Sequence, residues 1–231
     1  MPRTVGLDVS RMSYSTLGEL PRAHRWAGVS AVATALLFAG ANSLWGFEQP
    51  DSGASAQEVV DFYGDLSGQI VAGGLLSLVS IALFVVFAGA FRSVLIEIEG
   101  DELFANIAIG GVLLTAAAGV GAESINLAAA LRAEDGELTQ QLALALFDIS
   151  YVLGYNAAGI GIGLLALAIG AVALRSGALL PKWLAVVSIA LGGALLTPLS
   201  QYVLGPAFLL LLALGVLLLR GSALTSASPS G

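Results

Sequence analysis

Two acids stand where long apolar runs would otherwise be unbroken. Glu123 closes the third such run and Asp148 lies inside the fourth. A carboxyl group in or beside hydrocarbon is costly, so each is a functional candidate by default. Asn42, Tyr155 and Asn156 are the polar side chains that topology places at a similar depth. If all five converge in an outward-facing polar vestibule, the pair of carboxylates would bind a cation or share a proton. Like charges in low dielectric cannot both ionise cheaply. Depth supplies the competing expectation for Asp148. It precedes Arg175 by 27 residues, about 40 Å of straight helix, which makes it a solvated acid on an interfacial helix or a partner in a cap or loop. Tyr151, Tyr155 and Tyr202 read as an aromatic belt or as a ligand box. Asn42 and Asn106 read as interhelical hydrogen-bonding groups or as ligands.

Other chemistry is narrowed by composition. The chain has no cysteine and a single histidine, His24, in the N-terminal segment. Disulfides, thiolate sites and cysteine nucleophiles are excluded, and so are multi-histidine metal sites and a Ser-His-Asp triad in the membrane. No GxGxxG follows a strand and there is no Walker motif, so no cofactor is expected. A formal charge of −7 argues against a nucleic-acid partner, which needs a basic face.

The elements that must position these residues are helices. Hydrophobic residues make up 57% and charged residues 11%, against about 25% charged in a soluble domain. Apolar runs near the roughly 20 residues needed to cross a bilayer recur along the chain. The first span is Trp26 to Phe47, with Trp26 and Trp45 as interfacial anchors; Ala39-Gly40-Ala41 also resembles a signal-peptide cleavage site. An acidic loop follows. Within it Ser55-Ala-Gln-Glu58 forms a capping-box pattern, and Val59, Val60, Phe62 and Tyr63 predict a short amphipathic helix lying on the membrane surface. Gln69 to Phe91 and Leu103 to Ala122 are the next spans. The Ser124 to Arg132 stretch predicts a helical extension stopped at Asp135-Gly136. Gln141 to Leu174 is too long for one crossing, which places its membrane part at 154–174 with a bend near Gly154. Pro181 opens the fifth span, which ends near Thr197-Pro198. The last runs from about Ser200 to Leu219, with Gly205-Pro206 as a kink or a late start.

These expectations amount to an all-α, six-span transmembrane bundle. Residues 1–25 form a cytoplasmic arm, 26–220 the transmembrane domain and 221–231 a disordered cytoplasmic tail. Eight of the nine basic residues then fall on one side and only Arg132 on the other, which sets both termini inside. Helices in lipid associate through close packing and polar contacts. Gly159 and Gly163 form a GxxxG, and Gly110-Gly111 in the third helix is echoed by Gly192-Gly193 in the fifth. We expect these pairs to pack helices within the chain, with dimerisation as the other use.

Three local patterns resemble a family of uncharacterised bacterial six-helix integral membrane proteins. They are Arg25-Trp26-Ala-Gly-Val, Ala56-Gln-Glu-Val-Val-Asp-Phe-Tyr63 and Leu180-Pro-Lys-Trp-Leu-Ala185. The resemblance implies a six-span domain in a bacterial inner membrane and no catalytic residues. The expectation is a non-enzymatic structural, interaction or regulatory protein whose partners are the lipid bilayer and a second copy or another membrane protein. The alternative is a small-molecule, lipid or cation binder or transporter using the vestibule.

Overall fold

The computed structural model describes residues 20–100 and 102–226. Among them every regular element is helical. Helix α1 is Leu20–Trp45, α2 Ala56–Asp65, α3 Ser67–Glu99 and α4 Leu103–Glu134. Helix α5 (Gln140–Tyr151) passes through a π-helical segment, Val152–Ala157, into α6 (Ala158–Ser176). Helices α7 (Lys182–Leu195) and α8 (Ser200–Ser226) complete the order. Five helices are long and apolar enough to cross a membrane, counting Gln140–Ser176 as one. The sixth expected crossing, α7, has 14 residues. That is about 21 Å of helix, short of a core near 30 Å.

Several boundaries move. The bundle begins at Leu20, so part of the expected arm is helical, while residues 1–19 lie outside the described residues. Helix α3 continues past Arg92 to Glu99, where Gly100 caps it in the left-handed conformation at φ 69°. Helix α4 runs on to Glu134 and stops beside Gly136, also left-handed. Pro206 lies inside α8, which starts at Ser200 and continues through residues 221–226, where a disordered tail was expected. The rest of that tail, 227–231, lies outside the described residues.

Short turns reverse successive helices, giving the bundle two chemically distinct ends. At one, Arg92 pairs with Glu102 at 3.1 Å and the Arg175 guanidinium lies 4.7 Å above the Phe104 ring. At the other, α2 closes over the ends of α1, α4 and α5. Ser55 caps α2 through the Glu58 amide and Glu58 returns the bond to the Ser55 amide at 2.7 Å, which pulls the Glu58 carboxyl below its ordinary value. The apolar face of α2 does not meet lipid as expected. Val59, Phe62 and Tyr63 are buried with Ala129, Ala130, Ala143 and Phe147, so this helix is a protein-packed cap.

Helix α6 is buried on nearly every side and serves as the axis of the bundle. Its glycines admit neighbours at backbone distance: Gly161 meets Gly111 of α4, and Gly163 meets Gly192 of α7. A Cβ on Gly192 would stand 2.9 Å from the Gly163 carbonyl oxygen, closer than carbon and oxygen tolerate. Gly159 packs against Ser200 at the start of α8. The GxxxG glycines are thus used inside the chain. Gly110 and Gly193, by contrast, meet nothing and are exposed, so each Gly-Gly pair supplies one packing glycine. A further close approach, Gly28 to Gly215, joins α1 to α8. Hydroxyl groups add bonds between helices: Ser188 donates to the Ala166 carbonyl at 2.7 Å, Ser80 to Thr34 at 2.9 Å and Thr115 to Ala158 at 3.1 Å. In hydrocarbon each such bond is worth about 0.6 kcal/mol.

Candidate ligand-binding cavity

Near the α2 cap the bundle surrounds a partly open cavity of about 110 Å³. Along α1 its lining extends from Thr34 to Trp45, and along α4 from Thr115 to Asn126. Eleven residues of helix in each case correspond to about 16 Å of depth, near half the hydrocarbon core. The volume equals the share of roughly four liquid waters. Toward the opposite end, Phe84, Ile162 and Phe208 separate it from a second gap of about 20 Å³ whose lining is wholly apolar. Polar lining therefore stops partway along the bundle.

Three polar atoms give the cavity its character. Glu123 Oε2, Ser77 Oγ and Trp45 Nε1 are buried and without hydrogen-bond partners, and all three residues line this cavity. The Ser77 hydroxyl is close to the Glu123 carboxyl, yet neither it nor Oε2 completes a bond of good geometry. Buried polar groups in folded proteins are overwhelmingly satisfied, and leaving one unmade costs about 1–3 kcal/mol. Three such atoms belong to residues around one space. No lining residue is basic. Glu123 lies 20 residues beyond Leu103, about 30 Å along α4, toward the end of the bundle that α2 covers.

The remaining lining polar groups are already committed. Asn42 Nδ2 donates to the Phe38 carbonyl of its own helix at 2.9 Å. Ser150 donates to Phe147 at 2.9 Å. Tyr63 of the cap donates to Asn126 Oδ1 at 2.9 Å, with the phenol pushed up to about 12 by burial. Tyr155 donates to Gln49 Oε1 at 2.8 Å, joining the π segment to the loop after α1. Aromatic rings complete the wall. Phe38 and Phe208 stack with centroids 3.7 Å apart, and Phe84, Trp45 and Tyr155 stand with them.

The π segment explains how one apolar run serves two purposes. Its wider i→i+5 turn occurs mainly as single turns within α-helices, frequently at functional sites. Here it offsets α5 from α6 and presents Gly154 and Tyr155 to the cavity.

The five expected site residues divide. Glu123, Asn42 and Tyr155 line the cavity. Asp148 and Asn156 are exposed and do not line it; Asn156 Oδ1 accepts from the Ser200 hydroxyl at 3.2 Å. The vestibule is corrected accordingly to a cavity with one carboxyl group. The pairing fails because Phe147 and Ser150 occupy the inward face of α5, which turns Asp148 away. Asn106 is exposed as well, and Tyr202 is on the surface. Residues that sequence reading passed over are Ser77, Gln49 and Asn126, together with Trp45, which had been assigned to the interface. Comparison with family profiles, curated proteins and solved structures returns no match.

Proposed function

We propose that this is a six-span bacterial inner-membrane protein, with both termini cytoplasmic, that binds a small polar ligand beneath its α2 cap without catalysing a reaction on it. The observation that carries this reading is the convergence of three buried, unpartnered polar atoms on one cavity. A purely structural or interaction role gives those atoms no purpose. Transport is disfavoured by the apolar gap below Phe84. Of the lining serines and threonines, Thr34, Ser80, Thr115 and Ser150 donate to main-chain carbonyls, and Ser77, beside Glu123, has its hydroxyl available to a ligand.

The orientation rests on charge. Arg22, Arg25, Arg92, Arg175, Lys182 and Arg220 belong to one end and Arg132 to the other, which puts the cap outside. Helix α7 then crosses with its flanking turns. The absence of native cysteine makes this simple to check. Ser52→Cys and Asp135→Cys are expected to react with a membrane-impermeant maleimide in intact spheroplasts, and Ser93→Cys and Ser176→Cys only after lysis. Labelling of Ser93→Cys before lysis would reverse the orientation.

Binding is tested by thermal unfolding in nanodiscs against small amines, alcohols, amino acids, anions and metal cations. At 100 times Kd a ligand adds about 2.7 kcal/mol, a saturable rise that Ser77→Leu, which fills the cavity, should abolish. If no compound shifts the wild type and Ser77→Leu is at least as stable, the cavity is a packing void.

A further inference from the structure

Resting on the ligand-binding reading above, we infer that the cavity takes a small protonated amine that also carries a hydrogen-bond-accepting oxygen. Three constraints lead there. The first is charge: Glu123 is the only carboxyl group in the lining and no lining residue is basic. An anion would meet uncompensated repulsion, whereas a cationic donor satisfies Oε2 and offsets the cost of a buried carboxylate.

The second is donor and acceptor balance. The Trp45 indole N–H is a donor with no accepting capacity. It is locked in place because its ring lies against Gly73, where a Cβ would stand 2.6 Å from Nε1. An ammonium group alone, or a bare metal ion, leaves that donor unmet. The ligand must bring an acceptor as well. Ser77, adjacent to the carboxyl group, can accept from the ammonium or donate to the oxygen.

The third is size and wall chemistry. A volume of about 110 Å³, at roughly 30 Å³ per water-sized group, holds about four non-hydrogen atoms. The aromatic side chains of Phe38, Phe84 and Phe208 in the lining suit a short carbon chain. Ethanolamine is the smallest compound with all of these properties and serves as the probe.

The experiment compares four solutes at matched ionic strength, with the full chain in nanodiscs and thermal unfolding as the readout. Ethanolamine has both groups, propylamine lacks the oxygen, ethylene glycol lacks the charge and glycolate reverses it. Ethanolamine is expected to raise Tm saturably and to bind about fivefold or more tighter than propylamine, with no saturable shift from glycol or glycolate. Glu123→Gln should weaken ethanolamine by about tenfold or more, and Trp45→Phe should erase its advantage over propylamine. Because that advantage is measured in the wild type, the inference stays testable if Trp45→Phe does not fold. Equal responses to ethanolamine and glycol, or full retention in Glu123→Gln, would overturn the amine class. So would silence from ethanolamine. The ligand-binding reading would still stand if any member of the wider panel shifts the wild type and not Ser77→Leu.

Discussion

Replacing Gly161 with alanine is expected to cost about 2 kcal/mol, whereas the same change at Gly110 leaves the protein at least as stable. Both glycines sit in helices where alanine is preferred by about 1 kcal/mol, so intrinsic propensity favours both substitutions. Packing separates them. A Cβ on Gly161 would collide with the Gly111 carbonyl and with Thr115, and these are backbone and a hydrogen-bonded hydroxyl, not the flexible tip of a side chain. To admit it, α4 and α6 must move apart, which also breaks the Thr115 bond to the Ala158 carbonyl. Overpacking of this kind costs about 1–3 kcal/mol and sometimes more, and lipid offers no compensating gain because it is as apolar as the protein interior. At Gly110 the added methyl enters open space. Reversible unfolding in mixed micelles would measure both. Equal stabilities for the two variants would mean that α4 and α6 do not meet through their backbones.

Much of the architecture is legible because it follows from rules that need no partner. Gly136 had to end α4, since a left-handed residue there stops the helix. The run from 141 to 174 exceeds a single crossing, and the π segment around Gly154 is how the chain resolves that excess. The small residues of α6 announced a tightly packed helix. What sequence did not disclose was facing. Trp45 reads as an interfacial anchor because anchors and buried indoles look alike in one dimension. Gly73 is the signal that would have told them apart, an open space on α3 the size of a ring. Ser77 sits in an unremarkable apolar run, where serine most often bonds its own helix. Helix α2 presents an apolar stripe that fits lipid and protein equally well. Asp148 stood out for its charge, but a helix of 12 residues rotates a given side chain inward or outward on the strength of its neighbours, and Phe147 took the inward position. The candidate site was therefore half legible: its depth and its acid Glu123, but not the residues that converge there with it.

Tyr63→Ala is expected to release the α2 cap at a cost of about 3–5 kcal/mol, the range for deleting a fully buried aromatic ring. Tyr63 is completely buried, packs against Phe62 with ring centroids 5.1 Å apart and donates to Asn126, a cavity residue. Because α2 lies beyond the spans, its removal from water contributes in full, and Tyr63→Phe isolates the hydrogen bond at about 1–3 kcal/mol by leaving Asn126 unmet. The phenol adds a pH signature. Its folded value is raised to about 12, above the unfolded value near 10, so its contribution is complete below pH 10 and declines as the pH rises toward 12. Amide hydrogen exchange, corrected for the base-catalysed intrinsic rate, would show this as falling protection factors in α2 and the adjoining part of α5 from pH 10 upward in the wild type, with Tyr63→Phe lacking that step. The spans should stay protected throughout, because the cap's apolar cluster is separate from the one that joins the helices at the opposite end. If Tyr63→Ala instead unfolds the whole bundle in one transition, the cap is part of the transmembrane core and cannot open to admit a ligand. If α2 alone loosens, the cap moves independently of the spans, and the Tyr63–Asn126 bond is what ties it to the cavity wall.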